Sequence, residues 1–304
     1  MNRAWCGIIF IFLAVAAGWT GSVSAQADSS TAGSLIAPGA ALEKLPGSFN
    51  FTEGPVADNR GNVYFSDYRN NRICMWSVEG KLSVFLENAR GPVGLDIDRG
   101  GNLIVASTND RAILSIDPKN KRVSVLADRY NGRRLNSPND LWCDPKGGVY
   151  FTDPRFVTLS FPKEQDIEGV YYLSPDRKRL TRVIGDMAKP NGVVGSPDGS
   201  RLYVDDTAKN ETCVYTVNPD GSLSGKKPFA PVGYDGLTTD SRGNVYITGD
   251  GLDVFSPSGE KIGHIEVPDK PTNVCFGGVD GKTLFITTRP AVYLLRMRTM
   301  GVTR

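Results

Sequence analysis

Four carboxylate or amide side chains recur at one position of a repeated sequence unit. Six segments each join an acidic or glycine turn to a short β-rich run, and counting five residues back from each turn residue gives six equivalent positions. These positions hold Glu53, Val93, Asn139, Asn191, Asp235 and Thr272. Carboxylate and amide oxygens are hard donors, which suit Ca²⁺ first and Mg²⁺ or Mn²⁺ next, with Zn²⁺ less natural. The pattern therefore predicts one divalent cation, most naturally Ca²⁺, held by Glu53, Asn139, Asn191 and Asp235.

Glycine follows three of the four candidate ligands, at Gly54, Gly192 and Gly236. Glycine permits unusual backbone angles and close approach of a neighbouring chain. Asn-Gly and Asp-Gly pairs are also ordinary turn signals, so any single pair is weak support for a site. Their common register in the repeat favours a shared site.

The repeat itself indicates how these side chains are positioned. The β-rich runs begin at Val63, Leu103, Val149, Leu202, Val245 and Leu284, about 40 to 53 residues apart. That period suits a four-stranded propeller blade. The sequence therefore predicts an all-β fold, a six-bladed β-propeller whose innermost strands surround a central channel. The last unit lacks an outer strand, and residues 41–49 are expected to supply it, so that the ring closes between the N- and C-terminal strands.

The N-terminus is expected to be a separate targeting segment. Arg3 and the apolar run from Gly7 to Ala17 are typical of a secretory signal covering residues 1–27, with Ala25-Gln26-Ala27 as the cleavage site. An uncleaved membrane anchor is the alternative, although the run is short for a membrane span. We predict a flexible leader at residues 28–40, a single propeller domain at residues 41–304, and export to the periplasm or the exterior.

Composition excludes several other classes of function. Lys and Arg total 35 against 33 for Asp and Glu, which argues against a nucleic-acid partner. The single histidine, His264, lies in an alternating strand pattern and is interpreted as a blade residue. The four cysteines outside the signal (Cys74, Cys143, Cys213 and Cys275) form no C-x-x-C pair, so a zinc site is disfavoured and they are interpreted as small buried residues. No G-x-S-x-G motif is present, which disfavours a serine hydrolase.

Several motifs together resemble the gluconolactonase family that includes regucalcin. They are Glu53-Gly54-Pro55, Ser137-Pro138-Asn139-Asp140, Phe151-Thr152-Asp153-Pro154, Asn191-Gly192, Ser196-Pro197-Asp198-Gly199, Asp235-Gly236 and the run from Pro271 to Gly278. The resemblance implies a six-bladed propeller with one divalent cation at the top of the channel and hydrolysis of sugar lactones. It implies that Glu53, Asn191 and Asp235 are ligands, and that Asn139 binds the cation directly or through water or substrate. Regucalcin-like members carry an arginine where this chain has Ser137, which leaves the preferred lactone open.

A mechanism follows as a hypothesis. The cation would activate a lactone carbonyl as a Lewis acid, and Asp235 would be either the general base for the attacking water or only a ligand. Asp153 and Asp206 would orient Asn139 and Asn191 from behind, or would be ordinary turn acids. Asn139, Tyr234 and Arg289 are expected to touch a small-molecule lactone.

The oligomeric state is left open, and two other functions compete. One is hydrolysis of other esters or phosphotriesters at the same site. The other is a non-catalytic binding propeller in which calcium is structural.

Overall fold

Each repeat begins with a tight acidic turn. In the computed structural model, which describes residues 35–156 and 160–302, the Asp58 carboxylate accepts the N–H groups of Arg60 and Asn62 at 2.9 and 3.0 Å. Gly61 completes the turn at φ +91°, a left-handed conformation that glycine adopts without strain. Asp240 makes the same contacts in the fifth repeat. The turn signal in the sequence is thus a local hydrogen-bond motif that joins two strands.

Twenty-six strands and one short 3₁₀ helix, Tyr68–Asn70, make up the regular structure of the described residues. In chain order the first strands are β1 (Glu43–Lys44), β2 (Thr52–Ala57), β3 (Val63–Asp67), β4 (Arg72–Trp76), β5 (Leu82–Leu86), β6 (Pro92–Ile97), β7 (Leu103–Ser107), β8 (Ala112–Ile116), β9 (Val123–Ala127), β10 (Arg129–Tyr130), β11 (Arg133–Arg134), β12 (Leu141–Cys143) and β13 (Val149–Asp153). The remaining strands are β14 (Gly169–Leu173), β15 (Leu180–Ile184), β16 (Pro190–Gly195), β17 (Arg201–Asp206), β18 (Glu211–Val217), β19 (Leu223–Ala230), β20 (Leu237–Thr239), β21 (Val245–Gly249), β22 (Gly251–Phe255), β23 (Lys261–Ile265), β24 (Pro271–Gly277), β25 (Thr283–Thr288) and β26 (Val292–Arg296).

The strands form six four-stranded antiparallel blades, which confirms the predicted six-bladed β-propeller. Blades 1 to 5 are β2–β5, β6–β9, β12–β15, β16–β19 and β20–β23, and β10 and β11 form a small hairpin between blades 2 and 3. Blade 6 contains β24, β25 and β26 with β1 as its outer strand, and Glu43 pairs with Leu294. The ring therefore closes between the two ends of the chain, as predicted.

The repeat pattern also located individual strands. The second strand of a blade begins at Val63, Leu103, Val149 and Val245, as expected, and one residue earlier than expected at Arg201 and Thr283. Apolar side chains between the blades form the core, where Phe65, Tyr150 and Tyr246 are fully buried. Because each blade buries both faces, its strands alternate less than those of a half-exposed sheet.

The cysteines and the histidine lie within the blades. The four cysteines of the described residues are all free, and three of them are buried. His264 lies on β23, the outer strand of blade 5, where Nδ1 is 2.5 Å from Asp253 Oδ1. Cys143 and Cys275 lie on the inner strands β12 and β24, whereas His264 lies on an outer strand, which agrees with its interpretation as a blade residue.

The predicted signal at residues 1–27 and the start of the leader at residue 28 lie outside the described residues. Leu35 and Ile36, which fall inside the predicted leader, pack against the last blade. Leu35 is buried, and Ile36 forms a β-bridge with Met297. Over the described ranges, we find no helix with the length and apolar character needed to cross a membrane.

Candidate functional site

The candidate site lies where the innermost strands begin. At the start of β2, β6, β16 and β24, the pairing with the second strand of the blade shifts register, which marks a bulge. In blades 3 and 5 the corresponding residues, Asn139 and Asp235, lie just before the strand starts. Such bulges redirect side chains out of the ladder and are common near active sites. The repeat register therefore places the candidate residues at equivalent points, where the innermost strands begin.

Glycine at these bulges lets adjacent blades meet closely. A Cβ on Gly54, whose φ is +47°, would lie 2.2 Å from the carbonyl oxygen of Val93 in blade 2. A Cβ on Gly192 would lie 2.2 Å from the carbonyl oxygen of Asp235 in blade 5. Gly236 meets blade 6 in the same way, because a Cβ there would lie 2.1 Å from Asn273 Cγ. The glycines that follow three predicted ligands are thus required by close approach, and only Gly54 of the three also has a positive φ.

Asn191 and Asp235 contact each other directly. Asn191 Nδ2 donates to Asp235 Oδ1 at 2.9 Å, and the Asp235 N–H donates to Thr248 Oγ1 at 3.1 Å. The Asn191 side-chain oxygen is buried and has no hydrogen-bond partner among the described residues. A buried amide oxygen without a partner is unfavourable. The arrangement leaves a free oxygen donor beside a carboxylate.

Carboxyl groups are concentrated around this pair. Burial raises the pKa of Glu53 well above its ordinary value, and the charges of Asp235 and Asp140 raise it further. Burial also raises the pKa of Asp235 to about 8, with Asp140 adding to the shift and Arg289 and Lys270 opposing it. The pKa of Asp140 rises to about 7 through burial, although the Val193 N–H donates to it. At Asp235, burial therefore outweighs the positive charges of Arg289 and Lys270.

Asn139, the equivalent residue of blade 3, is held by hydrogen bonds of its main chain. Its carbonyl oxygen accepts the Gly94 N–H at 2.7 Å, and its own N–H donates to Thr152 O at 3.0 Å. The residue is half-buried, and its side chain makes no hydrogen bond with any described residue. The structure therefore holds the Asn139 backbone at the site and leaves its side chain available.

Tyr234 and Arg289 lie beside the carboxylates, at the outer edge of the site. The Lys270 ammonium is 3.7 Å from the centroid of the Tyr234 ring, and the Arg289 guanidinium is 5.5 Å from that of Phe51. Arg289 is exposed. Both cations lower the pKa of Asp235 through their charge. Two cations and two aromatic rings thus lie near Asp235, and we call them the entrance residues: Lys270, Arg289, Tyr234 and Phe51.

Three buried aspartates anchor the turns that precede the predicted ligands. Asp153 accepts the N–H groups of Asn136 and Ser137, each at 2.8 Å, and Asp206 accepts those of Ala188 and Lys189 at 2.8 and 2.9 Å. These donors come three and two residues before Asn139 and Asn191. Asp67 does the same for Asn50 and Phe51, before Glu53. The aspartates act on the backbone that carries each candidate ligand, rather than on its side chain.

Ser137, at the position where regucalcin-like chains carry arginine, faces the interior. It is 1 % exposed, and its hydroxyl donates to Pro154 O at 2.6 Å. This side chain is engaged in the turn.

The residues present fit a hard cation. Glu53 and Asp235 supply carboxylate oxygens, and Asn191 supplies an amide oxygen that no described group satisfies. Mixed carboxylate and amide donors match the preference of Ca²⁺. Within the described residues, no three groups drawn from His, Cys, Asp and Glu cluster as a metal site.

Sequence reasoning did not assign several residues of the site. The notable ones are Asp67, Asp140, Asp205, Lys270 and Asn273. Asp140 and Asn273 each follow a residue of the repeat register, at Asn139 and Thr272. Extending the register by one residue would have found both. Asp67 ends its strand as Asp153 and Asp206 do, which was a usable signal.

Comparisons with known proteins agree on one family. The profile described as "SMP-30/Gluconolactonase/LRE-like region" matches residues 51–289. A gluconolactonase of Zymomonas mobilis is 32% identical over 293 residues, covering 86% of this chain and 82% of its own. Lactonase drp35 of Staphylococcus aureus is 27% identical over 240 residues, covering 72% and 70% of the two chains.

Solved structures show the same architecture. A gluconolactonase from Xanthomonas campestris superposes with a TM-score of 0.82 at 29% identity, covering 93% of this chain and 99% of that one. A calcium-binding protein from Agrobacterium tumefaciens, regucalcin, superposes with a TM-score of 0.71 at 21% identity, covering 85% and 94%. The second likeness shows the fold alone.

Proposed function

The chain belongs to the SMP-30/gluconolactonase/LRE-like family, and we propose that it is a metal-dependent lactonase acting on sugar lactones. The gluconolactonase and lactonase relatives support a hydrolase of cyclic esters. The observation that carries the finer proposal is the Asn191–Asp235 pair. Its 2.9 Å hydrogen bond leaves a buried amide oxygen free beside a buried carboxylate.

Glu53, Asn191 and Asp235 would hold one divalent cation, most naturally Ca²⁺, and Asn139 would reach it directly or through water or substrate. Such a cation, when bound, supplies Lewis-acid polarisation of a carbonyl oxygen. The turn anchors Asp153 and Asp206 fix the backbone before Asn139 and Asn191. Their role is to keep the amide donors in place between cycles.

Asp235 would move the proton of the reaction. One of its oxygens, Oδ1, accepts the Asn191 amide, which leaves Oδ2 to take a proton from an attacking water. The water oxygen bonds to the lactone carbonyl carbon, and the bond from that carbon to the ring oxygen then breaks. The leaving ring oxygen takes up a proton, and the product is an open hydroxy acid. The general base therefore sits within the donor set.

The entrance residues would bind the sugar part of the lactone. Tyr234 offers a ring face and a hydroxyl, and Arg289 offers donors for sugar hydroxyls. Asn139 has a free side chain at the same ring. A small polar substrate is therefore favoured over a macromolecule. Export to the periplasm or the exterior, by means of a signal at residues 1–27, completes the proposal.

The test is hydrolysis of gluconolactone and other lactones by the purified protein in a pH-indicator assay. Activity should disappear after chelation with EDTA and return with one of Ca²⁺, Mg²⁺, Mn²⁺ or Zn²⁺. The Asp235→Asn variant should lose activity by about 10²-fold or more, because it lacks the carboxylate that takes the proton. Full activity after thorough chelation would refute the metal-dependent mechanism.

The control is Asp250→Asn, which removes a carboxylate that is 98% exposed and lies 3.4 Å from Lys270. This variant should hydrolyse lactones at the wild-type rate. If Asp235→Asn stays folded and cation-bound but active, Asp235 is only a ligand and the base lies elsewhere. If the wild type binds a cation but hydrolyses no lactone, the proposed lactonase activity is wrong and the cation site serves another function.

A further inference from the structure

One position of the repeat carries a carboxylate in blade 4 alone. In each blade, the next-to-last residue of the second strand has a side chain that faces the bulge of the innermost strand. The residues at this position are Ser66, Ala106, Thr152, Asp205, Thr248 and Thr287. Four are hydroxyl residues, and they bind main-chain carbonyl oxygens there. Thr248 Oγ1 donates to Gly236 O at 2.9 Å, and Thr287 Oγ1 donates to Asn273 O at 3.1 Å. A hydroxyl is thus sufficient for the architecture, and a carboxylate at Asp205 needs another reason.

Asp205 is buried with one oxygen unsatisfied. The residue is 0% exposed, and Oδ1 accepts the Thr212 hydroxyl at 2.6 Å. Its Oδ2 is buried and has no hydrogen-bond partner among the described residues. No Lys, Arg or His of the described ranges lies within ion-pair distance of it. Leaving a buried carboxylate without compensation is costly, so this environment is unfavourable as it stands.

The nearby charges make the arrangement less favourable still. Burial raises the pKa of Asp205 well above its ordinary value, and the charges of Asp235 and Asp140 add to that shift. Asp205 also lies across from the bulge that carries Asn191, because β16 and β17 pair at Pro190 with Asp206 and at Val193 with Val204. Asp205 is therefore a carboxyl group of the site that does not belong to the predicted set of cation ligands.

We propose that Asp205 supplies negative charge to the cation site from behind Asn191, without touching the ion, and so raises its affinity. The proposal rests on the proposed cation site. A cation held by Glu53, Asn191 and Asp235 would compensate Asp205 through space, and Asp205 would attract the cation in return. Asp205 thus acts on the cation through its charge alone, at a position where a hydroxyl is enough for the fold.

The test is calorimetric binding of Ca²⁺ and of La³⁺ to the wild type, Asp205→Asn and Asp205→Thr. Asparagine keeps the shape of the side chain, and threonine restores the residue type of blades 3, 5 and 6. Coulomb attraction grows in proportion to the charge of the ion. If removing the carboxylate weakens Ca²⁺ binding about tenfold, La³⁺ binding should weaken about 30-fold. The affinity ratio of the two ions separates loss of charge from loss of shape, which would weaken both ions equally.

The control is Glu211→Gln, which removes a carboxylate from the same hairpin at a partly exposed position. It should leave both affinities within twofold of the wild type. Unchanged Ca²⁺ and La³⁺ affinities in both Asp205 variants would overturn this inference while leaving the cation site intact. Equal weakening for the two ions would also overturn it, since the role would then be steric. A wild type that binds neither ion would overturn both this inference and the metal dependence on which it rests.

Discussion

Adding one methyl group at Gly192 should disturb the contact between blades 4 and 5 at the centre of the site. An alanine Cβ there would lie 2.2 Å from Asp235 O and 2.6 Å from Leu237 Cδ2, whereas such contacts essentially never fall under 3.0 Å. The nearest obstacle is backbone, so the two strands must separate by about 0.8 Å. Overpacking of this kind costs about 1–3 kcal/mol. For a domain of this size, about 2 kcal/mol lowers the unfolding temperature by about 4–8 °C.

The same movement should also weaken cation binding, because Gly192 follows Asn191 and the obstacle belongs to Asp235. Calorimetric unfolding and Ca²⁺ titration of Gly192→Ala measure the two effects. The matched control is Gly100→Ala, in an exposed turn, where the added Cβ would meet only the flexible side chains of Asn102 and Asp98 at 3.1 and 3.2 Å. An unfolding temperature and a Ca²⁺ affinity equal to those of the wild type would show that the blades yield freely, and the close-approach argument would be refuted.

Three further predictions concern the turn anchors, the ring closure and the entrance. Burial raises the pKa of Asp153 to about 7, so its contribution to stability is present below its unfolded pKa of about 4 and is lost as pH rises through 7. The stability advantage of the wild type over Asp153→Asn should therefore shrink by on the order of 2 kcal/mol between pH 5 and pH 8, and a constant difference in denaturant titrations would contradict this. Leu45→Ala, which empties a buried position beside Val292, should lower the free energy of unfolding by about 2–5 kcal/mol in the same assay, and a loss below 1 kcal/mol would mean that the closure is loosely packed. Arg289→Gln should raise the KM for lactone about three- to tenfold with an unchanged unfolding temperature, because the side chain is exposed, and an unchanged KM would remove Arg289 from the substrate contacts.

The architecture could be predicted from the sequence because each repeat is defined by residues that are close together in the chain. An acidic residue and a glycine make each turn, and an apolar run makes each following strand, so the starts of β3, β7, β13 and β21 could be predicted to the residue. The register then brought Glu53, Asn191 and Asp235 to one place, since equivalent positions of a propeller share a radius. These predictions needed no knowledge of contacts between distant residues.

The rest of the site depended on such contacts. Nothing in the sequence near Asp140 shows that Val193 of the next blade donates to it, and nothing near Asn273 shows that it meets Gly236. Tertiary burial, rather than local pattern, also decides that Ser137 faces inward. The exception at Asp205 was visible in an alignment of the repeats, although its meaning required the unpartnered oxygen that only the fold reveals.

The pairing of β1 with β26 has a consequence for how the protein forms. Glu43 meets Leu294 across about 250 residues, a very non-local contact, and such contacts slow folding. During synthesis, blades 1 to 5 emerge with their own strands complete, whereas β1 must wait for β26 before blade 6 can close. The ring therefore closes late, and a chain without β1 or without β26 would leave the outer half of the same blade incomplete. Stability near the closure should thus report on the integrity of both termini at once.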